Sequence, residues 1–568
     1  MLQPARQRLP LMLALCALVV SACTAAPLPG PDRPLAAEAP GAPPKVLTIA
    51  ILREPPGLHA DLIQGGGSGI RQVYNLAQDL LVREDARGAL VPQLAVEPIS
   101  TESGTWRIFP DGSMETTWKL RPGIKWHDGT PFTAADLLFS FTVYKDPEIP
   151  NVVGRPLALM ETATAPDPLT FVVRWSSTHV AAGEAPGLIP MPRHRLESAY
   201  QTDKSTFAAG PWFTTEYVGL GPYRLERWDR GVSMKFSRFG DYYRGLPPID
   251  TVAVRFLSDT GTMVANLLAE AVDVVLPQSV DIAVALDLRR RWAGTGNQVL
   301  FELGALRYLE VQHRAEHERP RFSTTSQPVR QALYQALDRN MLADALGEGS
   351  EPSADSWFPP NGALRSQVEA WIPRFPFDPA RAQQLLVDAG WRRGADAILE
   401  NSGERFEIQI SGTQGTSTER ELNIIADAWK AIGVEARLHV VPTGLVGDRE
   451  YRSKLPGAGL TSLPHRRLTT DPFHSRSIAS ETNRWSGPNR SGYAKPRVDE
   501  VLDRLAVTID PLERITLHRQ LLQEQMGDVA LMPLYWIADP VLALRGVKGI
   551  QDNSTVESTW NIFQWDKL

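Results

Sequence analysis

Trp118-Lys119-Leu120-Arg121-Pro122-Gly123-Ile124-Lys125-Trp126-His127-Asp128-Gly129-Thr130-Pro131-Phe132-Thr133-Ala134-Ala135-Asp136 decides the fold. Thr117–Arg121 is a short strand that ends in the Pro122-Gly123 turn. Asp128-Gly129 is a second, tight turn, because Asp bonds its own backbone and Gly tolerates a left-handed conformation. Thr133 and Asp136 form a capping box ahead of the apolar run Leu137–Phe141, so a helix starts there. Trp118 and Trp126 read as packing residues within this stretch.

Outward from this stretch, strand and helix patterns alternate. Lys45–Arg53 and Leu169–Trp175 are strand-like runs rich in branched residues. Ile249–Phe256 alternates, with Val252, Val254 and Phe256 on one face. Gly65-Gly66-Gly67-Ser68-Gly69 precedes a helical pattern over Ile70–Leu81. In the second half, Val329, Leu333, Ala336 and Leu337 fall on one helical face. Asp378-Pro379 and Asp510-Pro511 are N-caps followed by Pro at the first helical position, and Glu513 stands where it would close a capping box. Leu422, Ile425, Ala426, Trp429 and Ile432 form another stripe, and Val434–Val441 returns to a strand. The fold class is therefore α/β, not a bundle or a sandwich.

The N-terminus has its own pattern. Arg6 and Arg8 precede an apolar run, Leu9–Val20, which is too short to cross a bilayer of ~30 Å as a helix. Ser21-Ala22-Cys23 follows. This is the layout of a secretory signal over 1–22. Residues 23–44 are rich in Pro and Ala and read as an extended tether. The chain has two cysteines, Cys16 and Cys23. Cys16 leaves with the signal, so the mature chain has no disulfide, and Cys23 matters as an attachment point.

Composition excludes some functions. The chain is 43% hydrophobic and 22% charged with a net charge of −6. No basic block marks a nucleic-acid partner. The body from Lys45 to Leu568 is long enough for two or three units of ~100–200 residues each. We find no phosphate-cradling G-x-x-x-x-G-K-[ST], no G-x-S-x-G elbow, no paired C-x-x-C and no H-E-x-x-H. No catalytic set, metal set or cofactor is expected. His313 and His317 are four apart, but their charged surroundings read as a solvated loop. The Gly65–Gly69 run either presents backbone amides to an anion or is a plain turn.

The quoted stretch resembles the signature of bacterial extracellular solute-binding proteins of the oligopeptide, dipeptide and nickel type (family 5). Further pieces follow in order: Pro92-Gln93-Leu94-Ala95, Gly221-Pro222-Tyr223, Asp241-Tyr242-Tyr243-Arg244-Gly245, Ala271-Val272-Asp273, Val329–Leu333 with Asp338-Arg339, Ala389-Gly390-Trp391, Gly492-Tyr493 with Asp499, and Trp560-Asn561. The ending Val20-Ser21-Ala22-Cys23 resembles a lipobox, in which the Cys carries lipid. The resemblance implies a large, two-lobed periplasmic-binding-protein fold of the peptide-binding (type II) class. Lobe one would span 45–300 and 539–568, and lobe two 301–538, with the ligand enclosed between them.

It also implies a function: the lipid-anchored receptor of an ABC importer, exported to the cell surface or periplasm. The receptor would be a monomer that hands a peptide-like or other small polar solute to a permease and its ATPase. An enzyme or sensor on the same fold, or a binder of unfolded segments, are the other readings. Mapping onto the family places Gln64, Gly65, Gly66 and Arg452 near the ligand, with Trp485 a further candidate for stacking or for an apolar wall. Peptide-binding relatives hold the ligand's α-amino group with an Asp that aligns with Leu468. His465, Arg466 and Arg467 stand beside that position, which points to an anionic ligand group.

Overall fold

In the structure, a computed structural model, residues 43–59, 62, 69–149, 155–184, 188–415, 417–464 and 471–568 are described. The strand of the signature is Met114–Lys119, with Met114, Thr116 and Trp118 turned inward. Gly123 and Gly129 have φ of 78° and 88°, so both turns need the left-handed freedom of glycine. The amide of Gly129 donates to Trp126 O at 2.8 Å. The capping box closes as expected: Thr133 N donates to Asp136 Oδ2 at 2.9 Å, and the helix Ala134–Lys145 follows. Trp118 and Trp126 are 1% and 0% exposed. Truncating such a side chain typically costs ~3–5 kcal/mol.

The motif positions prove to be struts between segments far apart in sequence. Gly219 N donates to His127 Nδ1 at 3.1 Å, so Nε2 carries the proton and donates to Gly221 O at 2.9 Å. Tyr242 and Tyr243 donate their hydroxyls to the buried Asp79 at 2.8 and 2.9 Å. Asp273 accepts from Thr48 N and Lys567 Nζ, both at 2.8 Å, tying the first strand to the C-terminus. Arg330 is buried and donates to the carbonyls of Thr324, Thr325, Asp528 and Val529. Trp391 stacks on Phe406 at 4.1 Å.

Ten strands form one sheet among the described residues. Its order is Glu435–Val441, Glu407–Thr413, Ala458–Pro464, Gln298–Val311, Leu531–Ala543, Val274–Val275, Val46–Ile51, Thr251–Phe256, Ser233–Arg238 and Tyr223–Asp229. Gln298–Val311 and Leu531–Ala543 are long and antiparallel, pairing from Gln298↔Ala543 to Glu310↔Leu531. They cross between two bodies and are called the first and second crossing strands below. On one side, a core runs from Leu47 through Trp118 and Trp126 to Trp565, and a smaller one gathers Ala50, Val272, Leu288 and Leu542. On the other, Leu309, Leu333, Leu386 and Trp429 form one core, and Leu306, Trp357, Val501 and Leu521 another. The fold is two-lobed and mixed α/β.

Three local expectations are corrected. The helix expected over Ile70–Leu81 stops at Ala77, because Gly221 N takes Ala77 O at 2.9 Å and Gln78 turns extended. Asp510 does cap its helix, but Glu513 pairs with Arg504 at 3.0 Å instead of closing a box. His313 is not in a solvated loop: its Nε2 is 3.2 Å from Ala530 O and its ring packs edge-on against Tyr493.

Candidate functional site

Parallel strands place ligands outside their carboxyl ends, where the following loops form a crevice. Both lobes have such a set. In lobe one, Val46–Ile51 runs parallel to Thr251–Phe256 and Val274–Val275. In lobe two, Glu407–Thr413 runs parallel to Glu435–Val441 and Ala458–Pro464. The chain that leaves Ile51 returns in the helix Ile70–Ala77. From that helix Gln72 Nε2 donates to both oxygens of Glu302 at 3.2 Å. The strand Ala458–Pro464 ends with Pro464 opposite Ala305. The residues framing the two expected binding loops thus meet within Glu302–Ala305 of the first crossing strand. Gln64, Gly65, Gly66, His465, Arg466, Arg467 and Cys23 themselves lie outside the described residues.

At this junction Glu302 is buried and also accepts from Ser558 N at 2.7 Å. Asp539 is its cross-strand partner and accepts from Gln278 Nε2 at 3.4 Å. A Cβ on Gly304 would sit 2.6 Å from Asp539 Oδ2, so a side chain there would displace the Asp539 carboxylate.

Arg452 and Trp485 are described, and they belong to one wall of lobe two. Arg452 lies on the short helix Arg449–Ser453, which Asp448 caps. Burial, then the neighbouring Arg490, pushes its guanidinium pKa down, and Glu310 and then Tyr308 oppose the shift. Arg490 Nη2 reaches Thr461 Oγ1 at 3.2 Å and Glu310 Oε1 at 3.4 Å. Its Nε is buried and has no hydrogen-bond partner among the described residues. Arg490 therefore pairs with Glu310, while Arg452 stands close to both and to Tyr308, with Nη1 donating to Val446 O at 3.4 Å. This is an excess of fork-shaped donors of the kind that takes a carboxylate or phosphate.

Arg314 holds this wall together. It donates to Gln312 Oε1 at 3.0 Å, Ala479 O at 3.2 Å and Arg490 O at 2.6 Å, and also to Ser453 O. Trp485 is half-buried, with Lys454 Nζ 4.8 Å from its ring centre, a cation–π contact. Arg484 and Trp485 both have positive φ, 52° and 58°, a strained turn for non-glycine residues of a kind that clusters at ligand clamps. The sequence reading missed Tyr308, Glu310 and Arg490. The alternation of Leu306, Tyr308 and Glu310 within one strand was the available signal.

A crevice framed by the carboxyl ends of two parallel strand sets and closed behind by two crossing strands defines a two-lobed solute-binding protein. The family described as bacterial extracellular solute-binding proteins, family 5 Middle, matches residues 90–459. That is more than half of the chain, and the chain belongs to this family. It is 21% identical over 467 residues to the oligopeptide-binding protein AppA of Bacillus subtilis, covering 80% of this chain and 81% of that one. It is 26% identical over 362 residues to heme-binding protein A of Haemophilus influenzae, covering 60% and 61%. Among solved structures, NikZ from Campylobacter jejuni in complex with Ni(L-His) superposes with a TM-score of 0.70 at 21% identity, covering 93% of this chain and all of that one. AppA with a bound nonapeptide superposes with a TM-score of 0.67 at 19% identity, over 93% of this chain and 100% of that one.

Proposed function

We propose that this chain is the substrate-binding component of an ABC importer and that its solute is small, polar or peptide-like, and carries an acidic group. The lobes, taken as 45–300 with 539–568 and 301–538, close on the solute and present it to the permease and ATPase. The observation that carries the reading is the pair Arg452 and Arg490, two neighbouring guanidiniums beside Tyr308 of which only Arg490 reaches a carboxylate, that of Glu310. Arg466 and Arg467 follow Pro464 in the sequence, and Pro464 ends the strand whose Thr461 accepts from Arg490. Relatives on this fold bind a nonapeptide, Ni(L-His) or heme, so the fold alone does not select the solute. The neighbouring arginines of the wall support an acidic one.

The decisive experiment is mass spectrometry of the ligand released from gently purified protein. A peptide-like or other small molecule with a free carboxylate or phosphate supports the reading. A cation with no acidic group overturns it. Anchoring is tested separately: Cys23→Ser is expected to leave the membrane fraction, and a variant that stays membrane-bound and is cut at the same bond would remove the lipid anchor from the proposal.

A further inference from the structure

One buried acid at the lobe junction lies apart from the arginine wall described above. Glu351 is 6% exposed. It lies on a segment laid along the second crossing strand: Trp536 N donates to Pro352 O at 2.8 Å and Ala354 N to Leu534 O at 2.9 Å. Its carboxyl faces the Ala538 amide, and its Oε2 has no hydrogen-bond partner among the described residues. A Cβ on Gly347 would sit 2.7 Å from Glu351 Cγ, so glycine there makes room for the side chain beneath the helix Arg339–Gly347.

The charged groups around Glu351 do not favour its ionisation. Glu421, from the helix Thr418–Ala431, and Asp539, from the second crossing strand, both repel a charge there. The nearby cation is Arg307 of the first crossing strand. It is already committed: Arg307 Nε donates to Glu421 Oε2 at 2.7 Å and Nη1 to Ser462 Oγ at 3.2 Å. Tyr535 also binds Glu421. An ionised Glu351 would be repelled by Glu421 and Asp539 while the nearby guanidinium is engaged and one of its own oxygens is unsolvated, which is costly in a buried site.

The turn just before Glu351 joins the lobes. Arg289 Nη1 donates to Ser350 Oγ at 2.7 Å and Arg290 Nη1 to Glu348 Oε1 at 2.8 Å. Arg290 also lies 3.7 Å from Asp287. These arginines end the helix Ile282–Arg291, whose Ala285 and Leu288 pack with Ala50 and Leu542 in lobe one. The helix Arg339–Gly347 packs its Leu342 and Leu346 with Leu309 in lobe two.

We infer that Glu351 is a proton-operated catch at the lobe junction: protonated, it lets the 348–351 turn hold the two helices together, and ionised, it loosens that hold. Burial, then Glu421, pushes its carboxyl up to about 8, which places the switch in the neutral to mildly alkaline range. The inference concerns the ligand-free protein and stands apart from the identity of the solute.

Hydrogen exchange of the Ser350, Glu351, Ser353 and Ala354 amides in the full-length protein, corrected for intrinsic rates, tests it from pH 6 to pH 9. Opening should rise by roughly tenfold per pH unit below pH 8 and level off above it, because an opened carboxyl titrates at its ordinary, lower value. In Glu351→Gln the same amides should stay protected throughout. Should that variant fail to fold, Glu421→Gln gives a second reading: it removes a repelling charge and should move the levelling point to lower pH. Wild-type exchange independent of pH over this range overturns the inference, as does a Glu351→Gln profile that matches wild type.

Discussion

Gln72 Nε2 donates to both carboxylate oxygens of Glu302 at 3.2 Å, and Glu302 stands opposite Asp539 where the two crossing strands leave lobe one for lobe two. The bond joins the first helix of lobe one to the strand that carries Tyr308 and Glu310. Gln72→Met keeps the length of the side chain and removes the donor. A hydrogen bond to a buried charge contributes ~1.5–3 kcal/mol, so the urea midpoint should fall by that much stability, with the slope unchanged. An unaltered midpoint would show that the junction does not depend on this bond.

The anion wall makes a second prediction. Arg452→Ala and Arg490→Ala should each weaken binding of the released ligand by about tenfold or more, since a charge-assisted bond of ~1.5–3 kcal/mol corresponds to that factor at about 1.4 kcal/mol per decade. Arg490→Lys keeps the charge and loses the fork, so it should fall between. Arg381→Ala, on an exposed face of the helix Pro379–Asp388, is the control. Isothermal titration that gives parental affinity for both alanine variants would remove the wall from the site.

Acid stability depends on a buried ring. Burial holds His127 down to about 4, against its ordinary 6.5. Its folded value is the lower one, so the unfolded chain binds more protons between the two. The stability His127 contributes is present above pH 6.5 and is lost as pH falls toward 4. His127→Gln keeps a donor and an acceptor without the titration. The slope of unfolding free energy against pH between 6 and 4.5 should be shallower in the variant by about 1.4 kcal/mol per unit. Equal slopes would assign the acid loss to other groups, such as His59, held at about 3, and His518, held at about 4.

How far sequence reading reached follows from where each instruction is stored. The signature was legible because its turns and cap are local: Gly123, Gly129, Thr133 and Asp136 act within a few residues of themselves. The first crossing strand was not read as a strand. It mixes Glu302, Gly304, Arg307 and Glu310 with apolar residues, its register shifts at Leu303/Ala305 and Arg307/Tyr308, and each polar member is satisfied by a distant partner. Arg452 came from family resemblance, not from any pattern of its own. Its neighbour Arg490 comes two residues after Pro488 in a loop with no periodicity, and only the fold brings it to Glu310. The motif residues Tyr242, Asp273 and Arg330 could be listed from sequence, but their use as struts between remote segments is a tertiary fact.

One strut gives the sharpest packing test. Gly221 lies against the end of the helix Ile70–Ala77: a Cβ there would stand 2.4 Å from Ala77 C, 2.5 Å from Gln78 N and 2.7 Å from Leu76 O. All three are backbone atoms, so no side chain can turn aside to make room. The same glycine donates its amide to Ala77 O and accepts from His127 Nε2, so a shift of its backbone breaks both bonds. Overpacking of this kind typically costs ~1–3 kcal/mol and can cost more when backbone must move. Gly221→Ala should therefore lower the urea midpoint by at least that amount and raise the acid sensitivity assigned above to His127. Gly240→Ala, where a Cβ meets no atom within 4 Å, should leave both unchanged. If Gly221→Ala is as stable as Gly240→Ala, the close approach of the Gly219–Gly221 backbone to the helix end is not what stops the helix at Ala77.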